Sequence, residues 1–262
     1  MIALLFFAAL LGGALNSVAG GGSFITLPAL LWWGVPPVAA NATSTFALWP
    51  GSVSSAWAYR REVAATDRGS LVRLIVVSLA GGLLGARLLI STSDTSFMRL
   101  LPWLMLLAAA TFTWGGRVTA RLWGPRSNGI GTDGAGTAGG SKALVPWALL
   151  IQLAIATYGG YFGGGMGIMM LTTLAVAGMT DIHKMNGLKT VLATAINAVA
   201  LGEFAARGAI AWAPGVVMVA GGVIGGYTGA AVARRVEGRV VRLFVIAVAW
   251  TMTAYFFVRV LT

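Results

Sequence analysis

No cysteine occurs anywhere in the chain, which excludes disulfides and thiolate chemistry. Histidine occurs once, at His183, and aspartate and glutamate together only seven times. That is too sparse a ligand set for a dedicated transition-metal site, so no metal and no cofactor is expected. Charge as a whole is scarce: 10% of the residues are charged and 58% hydrophobic, whereas soluble domains carry roughly a quarter charged residues. No Gly-x-x-x-x-Gly-Lys loop is present to hold a nucleotide triphosphate. These shortages leave an integral membrane protein with no room for a sizeable aqueous domain.

Glycine, by contrast, is abundant and ordered. Gly20-Gly21-Gly22 opens a short apolar run from Ser23 to Trp33, Gly34 interrupts it, and Asn41-Ala42-Thr43-Ser44-Thr45 begins the next run. In the second half Gly163-Gly164-Gly165 opens Met166 to Ala177, Gly178 interrupts, and Asn186-Gly187-Leu188-Lys189-Thr190 begins the run that follows. These three landmarks repeat at separations of 143, 144 and 145 residues, and Gly81-Gly82-x-x-Gly85 recurs as Gly221-Gly222-x-x-Gly225 at 140. One order at nearly one offset is an internal duplication. In a membrane protein, glycine-interrupted hydrophobic segments at corresponding places in two halves point to a transport site.

The predicted organisation is all-α: a membrane repeat over residues 1–116, a Gly-rich cytoplasmic linker over 117–142, and a second membrane repeat over 143–262. Each repeat has about four helical segments, giving eight to ten membrane segments once short broken or re-entrant arms are included. Ile2 to Ala19 lacks the positive start of a signal peptide and reads as a retained membrane segment. The runs after the glycine triplets fall short of the ~20 residues a full crossing needs. Longer crossings are expected over Asn41–Tyr59, Leu71–Ile90, Leu100–Trp114, Asn186–Phe204, Val216–Ala233 and Val240–Val258. A polar loop is expected over Ser91–Met98 and another over Asp181–Lys184.

The formal charge of +11 sits mostly in short loops between apolar runs. It therefore reads as an orientation signal and a contact for anionic lipid headgroups, with no basic domain for nucleic acid. Placing the loops around Arg60–Arg68, Arg117–Lys142 and Arg234–Arg242 in the cytoplasm works only if each glycine-triplet segment returns to the side it came from. The repeats are then inverted and both termini periplasmic or extracellular. A homo-oligomer is compatible with this reading.

An anion crossing a low-dielectric core needs donors and a counter-charge. The triplets Gly20, Gly21, Gly22 and Gly163, Gly164, Gly165 can present backbone N–H groups at helix starts; equally, they suit close helix packing. Asn41, Ser44, Thr45 and the equivalent Asn186, Lys189, Thr190 form polar stripes at the start of a helix, with Asn41 and Asn186 suited to N-cap positions. Lys189 is the sharpest single candidate, because a charge within an apolar run is functional by default, though snorkelling competes. Ser23 joins the first triplet, and Trp49 is a candidate path-lining residue. Glu203 and Asp181 are the carboxylates best placed to take a coupling proton, against a plain Glu203–Arg207 interfacial pair.

The paired Gly-rich segments, the Pro28-containing arm, Asn-x-x-x-Thr at Asn41/Thr45 and Asn186/Thr190, and Gly82-x-x-Gly85-Ala86 together resemble the sulfite exporter TauE/SafE family of bacterial inner-membrane permeases. The resemblance covers the chain apart from the linker. It implies two four-helix repeats and export or uptake of small sulfur-containing anions such as sulfite, sulfoacetate or related organosulfonates; a proton and a sodium ion are the two candidates for coupling. Pro28 has no counterpart in the second half, where Leu171 stands, and the linker is long for the family. Competing readings are a transporter of carboxylates or amino acids and an intramembrane serine hydrolase built on Ser23 and His183. The second half keeps no such serine, having Met166, and the charge pattern puts His183 at a cytoplasmic surface.

Overall fold

Apolar runs separated by glycine turns close into helices throughout. A computed structural model describes residues 2–64, 66–123, 146–179, 181–233 and 238–261. Its helices are α1 (Ile2–Ala19), α2 (Ser23–Trp33), α3 (Pro37–Ala58), the short α4 (Arg60–Ala64), α5 (Arg68–Ser91), α6 (Asp94–Trp123), α7 (Pro146–Tyr161), α8 (Met166–Val176), α9 (Ile182–Ala206), α10 (Trp212–Ala233) and α11 (Gly238–Leu261). No strand occurs among the described residues. Among the described residues four stretches are long and apolar enough to cross a bilayer: Arg68–Ser91, Asp94–Gly115, His183–Ala206 and Leu243–Val260. Large apolar side chains such as Leu150 (67% exposed) and Val258 (61%) cover the outside, which suits hydrocarbon as the surrounding solvent. The protein is an all-α membrane protein.

The short arms are helices of 11 residues each, about 16 Å long, or half a hydrocarbon core. The same turn ends both. Gly34 and Gly178 each have φ +95°, a conformation that glycine adopts without a Cβ penalty. The Gly34 N–H donates to the Leu31 carbonyl and Val35 to Leu30, while Gly178 donates to Ala175 and Met179 to Leu174.

Helix starts differ from those expected. Asn41 and Asn186 are not caps but lie a full turn inside their helices. α3 begins at Pro37, whose fixed φ suits a first helical position. α9 begins at Ile182, because the Asp181 carboxylate accepts from the N–H groups of His183 (2.9 Å) and Lys184 (3.2 Å). His183 and Lys184 are thereby helical rather than in a loop. The loop expected over Ser91–Met98 shrinks to Thr92 and Ser93, where the Ser93 hydroxyl caps α6 by accepting from the Ser96 N–H (3.2 Å). α6 continues to Trp123; the linker stretch Gly124–Ser141 and the Arg234–Arg235 loop lie outside the described residues.

Glycine stripes decide the packing. A Cβ on Gly81 would sit 2.6 Å from the Ala156 Cβ, and one on Gly85 would overlap the Thr157 carbonyl oxygen, so α5 rests on the α7 backbone. Gly221, Gly225 and Gly229 of α10 meet Phe6, Leu10 and Ala14 of α1 in the same way. Residue numbers rise together in both pairs, so each pair runs parallel. The pairings are reciprocal: α1 packs on α10 as α7 packs on α5, and α2 touches α11 as α8 touches α6. At the centre α3 crosses α9. Gly187 faces Tyr59 and Val63, while the Thr194 hydroxyl donates to the Ser52 carbonyl (3.1 Å) and the Trp49 indole to the Thr194 carbonyl (3.2 Å). Those two helices are therefore antiparallel.

Gly85→Val should lower the thermal midpoint of the detergent-solubilised protein by about 5–10 °C or abolish its monodisperse peak. Gly202→Ala, which meets no atom within 4 Å, should leave the midpoint unchanged or slightly raised.

Candidate functional site

The two half-length helices leave room at their starts. A cavity of about 410 Å³ lies between the two glycine tips, α3 and α9, with α1 and α10 contributing the remaining wall. Gly20, Ser23, Thr45, Gly163, Asn186, Lys189 and Thr190 all line it. Lys189 is the single charged residue among the lining residues. Its aliphatic stem passes Gly167 in the first turn of α8, where a Cβ would lie 3.2 Å from the Lys189 Cδ. Among the described residues no carboxylate stands within ion-pair distance of it; the ion pairs are Arg87–Glu203 and Arg207–Glu203.

The threonines are already partly committed. Thr45 donates to the Asn41 carbonyl (3.1 Å) and Thr190 to the Asn186 carbonyl (2.8 Å), so each hydroxyl keeps lone pairs rather than its proton for the cavity. Donors come instead from the Lys189 ammonium, the Asn186 amide and the Ser23 hydroxyl. Of the first-turn N–H groups, those of Phe24, Ile25 and Ile168 are taken by the Gly21, Gly22 and Gly165 carbonyls, and the helix starts otherwise contribute the favourable end of their dipoles. This arrangement suits a small anion.

The other sequence candidates serve the walls. Gly21 packs toward Phe112 and Phe24, and Gly22 against the Gly12 carbonyl and Leu48. The Gly164 carbonyl accepts from the Tyr158 hydroxyl (2.7 Å), and Gly165, at φ +81°, abuts Ala108. Trp49 braces α3 on α9 rather than lining the path. Asn41 and Ser44 are buried beyond the cavity. Asn41 Nδ2 donates to the Tyr161 carbonyl (2.9 Å), and the Ser44 and Thr26 hydroxyls bond each other (2.5 Å). With the Thr43 hydroxyl accepting from the Ala211 N–H (2.9 Å) and Phe24 set edge-on to Phe162, they close that end.

Asp181 and Glu203 both stand away from the cavity. Asp181 caps α9, and the Lys184 and His183 N–H bonds hold its carboxyl below the usual carboxylate range. Glu203 sits 3.3 Å from Arg207 and 3.7 Å from Arg87 at the far end of α9.

The opposite end is open toward Ser55 and Ala58 in the last turn of α3 and Tyr59 just after it, next to Arg60 and Arg61. Sequence reasoning passed over Asn16, Asn197, Ser52 and Ser55, all of which line the cavity. The signal was present for the two asparagines. An amide inside an apolar run is costly unless it meets polar surroundings.

The profile of the family described as "Sulfite exporter TauE/SafE" matches residues 5–256. A "Probable membrane transporter protein" of Haemophilus influenzae is 29% identical over 97% of this chain and 93% of its own length. The "Probable membrane transporter protein ORF9" of a Sinorhizobium species is 28% identical over 95% and 89%. The "Probable membrane transporter protein YfcA" of Escherichia coli K12 is 25% identical over 97% and 88%. No solved structure matches the chain.

Because the chain has no cysteine of its own, single introduced cysteines report the cavity directly. Asn186→Cys, Asn197→Cys and Thr45→Cys should react with a water-soluble maleimide at least tenfold faster than Asn41→Cys or Ser44→Cys. Equal rates across the five would show that no such water-filled space exists.

Proposed function

Because the chain belongs to the sulfite exporter TauE/SafE family, we propose that this membrane transporter carries small sulfur-containing anions such as sulfite, sulfoacetate or related organosulfonates across a bacterial inner membrane, driven by a proton or sodium gradient. The observation that carries the reading is Lys189: an ammonium with no ion-pair partner among the described residues, in a polar cavity flanked by the tips of two half-length helices.

Lys189 supplies one fixed counter-charge. One sulfonate pairs with Lys189 while its remaining oxygens take amide and hydroxyl donors. A second negative charge, as on sulfoacetate, would have no fixed counter-charge in this space, and on this reading the coupled proton or sodium ion offsets it. Neither Asp181, fixed as a cap, nor Glu203, held by two arginines, stands where it would meet that substrate.

Movement follows from the duplication. We read the halves as inverted repeats that exchange conformations around this site. The antiparallel crossing of α3 with its counterpart α9 and the reciprocal pairing of α1–α10 with α5–α7 support that reading. Positive charge assigns the sides: Arg60, Arg61 and Arg68 cluster at the open end, which is cytoplasmic on this reading and leaves both termini outside. The conformation described is then inward-facing.

Proteoliposomes offered labelled sulfite, sulfoacetate or taurine, with a carboxylate as control, should take up at least one sulfur anion saturably, and a pH or sodium gradient should change the rate. Lys189→Ala should raise KM by about 10- to 100-fold, the worth of a charge-assisted hydrogen bond. Absence of flux for every sulfur anion under either gradient would overturn the substrate assignment.

A further inference from the structure

We infer that Asn41 and Asn186 are alternate latches, Asn41 holding one end of the transport path shut here and Asn186 closing the opposite end in the other conformation by donating to the carbonyl at position 18. The inference rests on reading the halves as inverted repeats, and goes beyond it in naming the two side chains that distinguish the conformations.

The local frames of the two asparagines are alike. Each sits one turn inside its helix, and each has its own carbonyl bonded by the threonine four residues on, Thr45 at 3.1 Å and Thr190 at 2.8 Å. Only what the amide meets differs. Asn41 Nδ2 donates to the Tyr161 carbonyl at 2.9 Å, in the last residue of α7, and its Oδ1 is buried without a partner among the described residues. Asn186 makes no side-chain hydrogen bond among the described residues and faces the cavity.

The offset that superposes the glycine tips, 143 residues, carries Tyr161 onto position 18, in the last turn of α1. Ser17, the neighbouring residue, lines the same cavity as Asn186. One bond of a symmetric pair is therefore made and its counterpart is open. The acceptor is a backbone carbonyl, which any residue supplies, so Tyr161 and Val18 need not match in type while the two asparagines must. Exchanging the conformations of the halves would release Asn41 and engage Asn186.

The same exchange identifies a reporter. Ser44 is the counterpart of Lys189 at an offset of 145; it is 1% exposed here, bonded to Thr26. In the exchanged conformation it would line the opposite cavity, as Lys189 lines this one.

The test follows maleimide labelling of Ser44→Cys in detergent, with no substrate added. Adding Asn41→Ala should speed labelling about fivefold, the population ratio that one net hydrogen bond carries. Adding Asn186→Ala should slow it about fivefold, because it destabilises the conformation in which Ser44 is open. General loosening would speed both. An unchanged or faster rate in Asn186→Ala would overturn the inference. That variant loses no bond in the conformation described, so its folding is not at stake. Since labelling needs no substrate, a failure of sulfur-anion flux leaves this result standing. A failure here leaves the substrate question untouched.

Discussion

A helix of eleven residues cannot cross a bilayer, and this chain has two of them facing one another from its two halves. Every backbone N–H and C=O at membrane depth must find a partner in protein or enclosed water. The rest of the structure follows from that requirement. The carbonyl ends are satisfied by the shared glycine turns at Gly34 and Gly178, and the second tip is tied by the Tyr158 hydroxyl. The N–H ends point at the space between the tips. That space is polar because Lys189, Asn186 and Ser23 line it.

Much of this was legible in the order of residues, for a physical reason. Glycine is needed where φ is positive, as at Gly34, Gly178, Gly163 and Gly20, or where backbones touch, as along Gly81 and Gly85. Its spacing therefore records the turns and seams of the fold. Helix starts were less legible. Apolar runs mark where hydrocarbon begins, whereas Pro37 and Asp181 set where hydrogen bonding begins, about a turn earlier. The site was half legible. Gly20, Ser23, Thr45, Gly163, Asn186, Lys189 and Thr190 meet at the cavity, but Gly21, Gly22, Gly164 and Gly165 spend their smallness on packing. One sequence must serve every conformation the chain visits. It therefore treats Asn41 and Asn186 alike, and only coordinates distinguish the closed end from the open one.

The closed end is held by neutral hydrogen bonds: Asn41 to Tyr161, Thr43 to Ala211 and Thr26 to Ser44. Each is worth about 1 kcal/mol net. A gate of that strength lies within reach of a ligand's preference for one state over another, typically a few kcal/mol. The Arg87–Glu203–Arg207 cluster stands apart from these contacts, at the end of α9 and partly in solvent, where ion pairs contribute little.

The reciprocal seams carry a consequence for how such a chain can be divided. α1 finds its close-packed partner in α10, and α7 finds its own in α5. Each half thus lends its first helix to the other, and neither encloses its own core. Cut at the linker, each fragment would expose a bare glycine face to lipid. Two copies of one half would complete each other only if they were inserted in opposite orientations. If the halves are inverted repeats, as proposed above, a half-length precursor of this architecture would have had to enter the membrane both ways up, and joining the copies into one chain would fix that two-way insertion.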